Sequence, residues 1–69
     1  MNANRLLIID DELALAKVVA KGGTLSGYET AYTDDPDEFV RLLDEWVPTV
    51  VVVDLQMPRK QKLVLLVSI

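Results

Sequence analysis

The sequence predicts a small α/β protein built on an open parallel sheet. Three short apolar segments are separated by two segments with helical spacing, in the order βαβαβ. The first and third apolar segments show no alternation of polar and apolar residues, which is typical of parallel strands buried on both faces. With 69 residues the chain forms at most one domain, and such a domain buries only about 60% of the surface that the unfolded chain exposes.

The first strand is predicted over residues 5–9, RLLII, and it leads into the first helix. That helix is predicted to begin at Glu12 and to end at Gly27, because glycine is favoured just after a helix C-terminus. Gly22 and Gly23 each cost about 1 kcal/mol relative to alanine inside a helix, so we expect its last turns to be weak. Its apolar side is predicted to consist of Leu15, Val18, Val19 and Leu25.

The second strand is predicted over residues 28–32, YETAY, and the second helix follows it. Asp35 is the expected N-cap and Pro36 occupies the first helical position, while Pro48 marks the end of the helical pattern. The third strand is predicted over residues 50–53, four consecutive valines. The apolar stripe of the second helix is predicted to consist of Phe39, Val40, Leu42, Leu43, Trp46 and Val47.

Composition and charge argue against several classes of function. Hydrophobic residues make up 51% of the chain and charged residues 26%, and no apolar run approaches the roughly 20 residues of a membrane-spanning helix, so we expect no membrane partner. The chain has no cysteine and no recognisable secretion signal, which favours a cytoplasmic location. Residues 1–58 carry eleven acidic and four basic residues, so their net charge of −7 argues against direct binding to nucleic acid.

Three carboxylates stand where the apolar strands end: Asp10, Asp11 and Asp54. In open α/β sheets, ligands bind at the carboxyl ends of strands where the strand order reverses. If the first and third strands are neighbours, these carboxylates converge and repel one another unless a cation neutralises them. Oxygen ligands without histidine or cysteine favour Mg²⁺. The structural alternative is that Asp10 or Asp11 only caps the first helix and that Asp54 only begins a loop.

Two segments, IIDDE at 8–12 and VVVVDLQMP at 50–58, together resemble the receiver domains of two-component response regulators. The resemblance implies a flavodoxin-like fold, with residues 1–58 as the N-terminal half of a receiver domain. It also implies that Asp54 accepts a phosphoryl group from a sensor histidine kinase, that Asp10 and Asp11 bind Mg²⁺ beside Asp54, and that the backbone carbonyl of Gln56 is a further ligand. We therefore expect a signalling module, not an enzyme acting on a free substrate.

The resemblance ends after Pro58. A receiver continues with a third crossover helix, a fourth strand that ends in Ser or Thr, and a fifth strand followed by a lysine, and this second half is incomplete here. We therefore expect truncation to impair phosphorylation. The alternative function is that of a phosphorylation-defective fragment that acts only through self-association or sequestration of a partner.

Residues 59–69 form a tail that is first basic and then apolar. The segment KLVLLVSI at 62–69 resembles a receiver's fourth strand, with Ser68 at the hydroxyl position, and a strand is favoured over a helix because β-branched residues are frequent. Only eight residues lie between Asp54 and Leu63, too few for a parallel crossover within one chain. The tail is therefore predicted to be exchanged between chains in a homo-oligomer.

Overall fold

The structure, a computed structural model, describes residues 4–56 and 62–68, with side chains for residues 4–54. Its elements are β1 (Arg5–Asp10), α1 (Leu13–Leu25), β2 (Glu29–Thr33), α2 (Pro36–Glu45), β3 (Val50–Gln56) and β4 (Lys62–Ser68). Met57, Pro58, Arg59 and Lys60, to which the sequence analysis referred, lie outside the described residues. Neither described helix has the length and apolar character needed to cross a bilayer.

Strands β1, β2 and β3 form the predicted parallel sheet. The sheet order is β2-β1-β3-β4, with β1 parallel to both β2 and β3. Each parallel connection runs through a helix, which supplies the dozen or more residues that a crossover needs. The α/β fold class is confirmed, and the arrangement is consistent with an incomplete flavodoxin-like domain.

The tail forms strand β4, so the strand interpretation is confirmed and the helical alternative is wrong. β4 pairs antiparallel with β3 of the same chain, from Val50 beside Ser68 to Gln56 beside Lys62. Five residues separate the two strands, too few for a parallel return but enough for a hairpin, an arrangement that the sequence analysis did not weigh. The tail therefore covers the β3 edge without exchange between chains, while association of chains stays a prediction.

Helix α1 packs on the sheet through small residues, and the prediction of its inner side was wrong. Ala16 and Ala20 are buried against Leu6 and Ile8 of β1. A Cβ added at Gly23 would lie 2.6 Å from the Leu6 Cδ2 atom, which shows how closely the helix backbone approaches the strand. The four larger residues predicted to face the core, Leu15, Val18, Val19 and Leu25, are exposed. The helix runs through the glycine pair to Leu25.

Helix α2 begins as predicted. The Asp35 side chain accepts a hydrogen bond from the Asp37 amide at 3.0 Å, and Pro36 is the first helical residue. The helix ends at Glu45, so Val47 lies outside it, and Val47 and Val40 are both 62% exposed instead of belonging to the inner stripe. The other four predicted residues, Phe39, Leu42, Leu43 and Trp46, are half-buried.

The chain turns sharply between α2 and β3. Val47 has a φ of +53°, a left-handed conformation that a β-branched residue rarely adopts. The Arg5 guanidinium holds the preceding residue in place, because its Nη1 donates to the Trp46 carbonyl at 2.6 Å and its Cζ lies 5.5 Å from the centre of the indole ring. This contact fixes the end of α2 beside the start of β1.

The two helices cover only one half of the sheet. The backbones of both helices lie close to β1 and β2, whereas among the described residues neither helix backbone comes close to β3 or β4. On the α1 side, a cavity of about 440 Å³ opens between the helix and the sheet, and its lining includes Val19, Gly22, Tyr28, Val50 and Val52. The β3–β4 hairpin thus has apolar residues that extend past the part of the sheet covered by the helices.

Candidate functional site

The sheet register brings Asp10 and Asp54 together. Asp10 is the last residue of β1, and Asp54 lies within β3, two residues before its end, not after the strand as predicted. The two residues are direct partners in the parallel register, and neighbouring strands lie about 4.8 Å apart. The order of strands reverses between β1 and β3, so the pair occupies the position where open α/β sheets bind ligands.

Asp10 has an incompletely satisfied carboxylate. The residue is fully buried, and its Oδ1 accepts a hydrogen bond from the Glu12 amide at 2.8 Å. Its Oδ2 is also buried and has no hydrogen-bond partner among the residues whose side chains are described. A buried polar atom without a partner costs about 1–3 kcal/mol, and more if it is charged. This oxygen therefore fits a cation, which would offset that cost.

The alternative role of Asp10, at the start of the first helix, is also supported in part. Its bond to the Glu12 amide shapes the turn that leads into α1, and Glu12 is the N-cap of that helix. The Glu12 carbonyl then accepts the first helical hydrogen bonds, from the amides of Leu15 and Ala16. One oxygen of Asp10 thus has a structural role, and this leaves the other available to a ligand.

The other predicted ligands have different positions. Asp54 is half-buried, whereas Asp11 is exposed in the turn between β1 and α1. Gln56 is the last residue of β3, at the same end of the sheet. Across residues 4–54, no group of three or more acidic side chains is arranged to hold a metal ion in this structure. The full ligand set of Asp10, Asp11, Asp54 and Gln56 stays a prediction.

Ser68 does not occupy the position that the resemblance suggested. Because β4 runs antiparallel, Ser68 pairs with Val50 at the amino end of β3, whereas Val64 is the partner of Asp54. Four residues along a strand correspond to about 13 Å. Ser68 therefore lies far from the phosphate-contacting hydroxyl position that a parallel fourth strand would have given it.

The same reversal brings a different residue to this end of the sheet. Lys62 is the register partner of Gln56, two residues beyond Asp54 along β3. Lys62 was predicted to belong to the basic part of the tail and to begin its possible strand, but not to lie near Asp54, because a hairpin was not considered. The signal was present in the short connection between two strongly apolar segments, which favours antiparallel pairing.

Comparison with known proteins gives partial matches. The chain is 31% identical over 55 residues to the probable transcriptional regulator ycf27 of Guillardia theta, and the match covers 80% of the chain and 22% of that protein. It is 27% identical over 59 residues to the probable transcriptional regulator ycf27 of Cyanophora paradoxa, covering 86% of the chain and 25% of that protein. No protein-family model and no solved structure matches the chain.

The matched segment spans about a quarter of the length of these curated relatives. It includes most of the described residues, and the strand order β2-β1-β3 agrees with a receiver-type arrangement. Together, the similarities and the fold support a response-regulator receiver-type fragment.

Proposed function

We propose that this chain is a phospho-acceptor module of a two-component system, with Asp54 as the acceptor. The observation that carries the proposal is the register pair of Asp10 and Asp54 at the strand-order reversal. Within the part of the chain whose side chains are described, the buried Oδ2 of Asp10 has no hydrogen-bond partner. If these carboxylates only capped a helix, Asp54 would not need to lie beside Asp10 on the neighbouring strand. Nor would one carboxylate oxygen need to be buried without a hydrogen bond.

The reaction begins with the Asp54 carboxylate as nucleophile. One of its oxygens forms a bond to the phosphorus of a phosphohistidine donor, and the bond between phosphorus and the imidazole nitrogen breaks. The electron pair of that bond remains on the imidazole nitrogen, which takes up a proton from solvent. The products are an aspartyl phosphate and a neutral histidine, so charge and atoms balance. β3 holds the nucleophile in place, since Asp54 lies within the paired part of the strand.

Asp10, Asp11, Asp54 and the backbone carbonyl of Gln56 would hold a Mg²⁺ ion at this site. The Asp10 Oδ2 is the atom best suited to it, because burial leaves a cation as its natural partner. When bound, the ion offsets the negative charge on the transferring oxygens. Asp10 itself would be a fixed ligand, since its Oδ1 is tied to the Glu12 amide. Asp11, which is exposed, would be the adjustable one.

The partner that this chemistry requires is a sensor histidine kinase, and a cytoplasmic location is expected for it to reach the chain. The similarity to probable transcriptional regulators supports a role in regulation. The acidic balance of residues 1–58 argues that this segment does not itself contact nucleic acid.

The proposal is tested by phosphorylation with a small donor. The chain is incubated with acetyl phosphate and Mg²⁺, and intact mass is measured beside Asp54→Asn and a matched control, Asp44→Asn, which alters an exposed carboxylate on α2. We expect the unchanged chain and Asp44→Asn to gain one phosphoryl group slowly, because the second half of the receiver pattern is incomplete, and Asp54→Asn to gain none. Equal uptake by all three would exclude Asp54 as the acceptor. No uptake by any would favour the alternative of a fragment that acts through association.

A further inference from the structure

The two edges of the sheet differ in how well they are protected. β2 forms one edge; it is five residues long, and both helices contact it. Its first residue, Glu29, is charged and forms an ion pair with Arg5 at 3.1 Å. Such short, covered and charged edges resist pairing with other strands. The β2 edge is therefore protected against pairing with another strand.

The β4 edge has fewer of these protections, since Lys62 at its start is its single charged residue. β4 is seven residues long, and its seven register pairs with β3 follow one another without a bulge. Its central residues, LVLLV at 63–67, include no charge and no proline. Neither helix contacts β4 among the described residues. A long and apolar edge without a bulge presents backbone donors and acceptors that favour pairing with another strand.

The total accessible surface area of the chain is larger than expected for a folded protein of its mass. The chain exposes 4975 Å², whereas a folded monomer of 7.7 kDa exposes about 4,300 Å² on average. The excess of roughly 650 Å² is close to the 800 Å² or so that each partner buries in a stable protein–protein interface. The molecule thus exposes more surface than an average monomer of its mass, as an uncovered strand edge requires.

We propose that β4 pairs antiparallel with β4 of a second copy of this chain, so that the two sheets join into one of eight strands. A two-fold axis at Leu65 would place this residue opposite Leu65 of the partner subunit and Lys62 opposite Ser68 of the partner subunit. The two lysines then lie at opposite ends of the ladder, about 20 Å apart, so like charges do not meet. This arrangement keeps the hairpin within each chain and needs no exchange of strands.

The register is tested by single cysteines, which is direct because the chain has none. Leu65→Cys is compared with Tyr32→Cys, a matched control on the β2 edge. Under mild oxidation we expect Leu65→Cys to form a disulfide-linked dimer much faster than Tyr32→Cys, because paired strands bring the two cysteines within bonding distance. Equal rates of cross-linking, or none in Leu65→Cys, would overturn the proposal.

A measurement on the unchanged chain keeps the test valid if Leu65→Cys does not fold. Sedimentation equilibrium should give twice the 7.7 kDa chain mass at high concentration. Amide hydrogen exchange should then protect every second residue of β4 more strongly than in a dilute sample, because only outward-facing amides gain a partner. A mass that stays at 7.7 kDa, or protection that does not depend on concentration, would contradict pairing at this edge.

Discussion

The half of the sheet that the helices cover and the β3–β4 hairpin bury similar residues to different extents. In the covered half, Leu7 and Ile8 of β1 are fully inaccessible. In the hairpin, Val51 of β3 is also buried, but Val52 and Val53 are only half-buried although their strand is at least as apolar. Burial here therefore depends on how much of a strand its neighbours cover, and not only on the hydrophobicity of the strand. Because Asp10 belongs to one half and Asp54 to the other, the candidate site lies on their boundary.

The largest expected contrast comes from shortening one core side chain in each half. Ile8 and Val52 are register partners, yet only Ile8 is fully buried. We expect Ile8→Ala to lower the free energy of unfolding by about 3–4 kcal/mol and Val52→Ala by about 1 kcal/mol, because the hairpin site is already partly open to water. Urea denaturation followed by circular dichroism measures both. Comparable losses would show that the hairpin is packed as tightly as the covered half.

A second contrast tests how closely α1 approaches the sheet. A Cβ at Gly23 would meet Leu6 Cδ2 at 2.6 Å and Thr30 Cγ2 at 2.9 Å, whereas a Cβ at Gly22 meets nothing within 4 Å. Gly22→Ala should therefore stabilise the protein by about 0.5–1 kcal/mol through helix propensity. Gly23→Ala should destabilise it by about 1–2 kcal/mol, because β1 and β2 side chains must move. Thermal unfolding of the pair would contradict this packing if both variants gained stability.

The smallest expected effect concerns the turn that joins the two halves. Val47 has a left-handed backbone and Val40 a helical one, and both side chains are 62% exposed. Val47→Asn should raise the free energy of unfolding by about 1 kcal/mol, since asparagine tolerates positive φ better than valine does. Val40→Asn, the matched control, should not stabilise the protein, because asparagine is no better than valine within a helix. Chemical denaturation of both variants provides the comparison.

Local signals in the sequence predicted the covered half well. Asp35, Pro36 and Gly27 mark helix ends through their own backbone chemistry, and each has the predicted role: Asp35 accepts from the Asp37 amide, and Gly27 has a φ of +93°. The inner side of α1 was missed, because the preference for large apolar residues ignores how closely Ala16 and Gly23 let the helix approach. Periodicity alone does not encode that distance.

The hairpin half was predicted less completely. The apolar character of both strands was evident, and the length of the connection excluded a parallel return. The antiparallel solution reverses the direction of β4, so Ser68 moves to the far end of β3 and Lys62 to the end that carries Gln56. A reversal of strand direction therefore changes which residues lie near the site, although every strand is correctly assigned. For the site itself, the pairing of Asp10 with Asp54 followed from strand order, but the unpartnered Asp10 Oδ2 was visible only in the structure.

β1 and β3 bring Asp10 and Asp54 together, and we propose that this pair binds a cation. Titration of the chain with Mg²⁺, followed by amide chemical shifts, tests it most directly. We expect saturable shifts at Asp10, Asp11 and Asp54 that disappear in Asp10→Asn and persist in Asp44→Asn, the exposed control on α2. Amide shifts that stay unchanged at all three acids, or that survive unaltered in Asp10→Asn, would rule out a cation site at this pair.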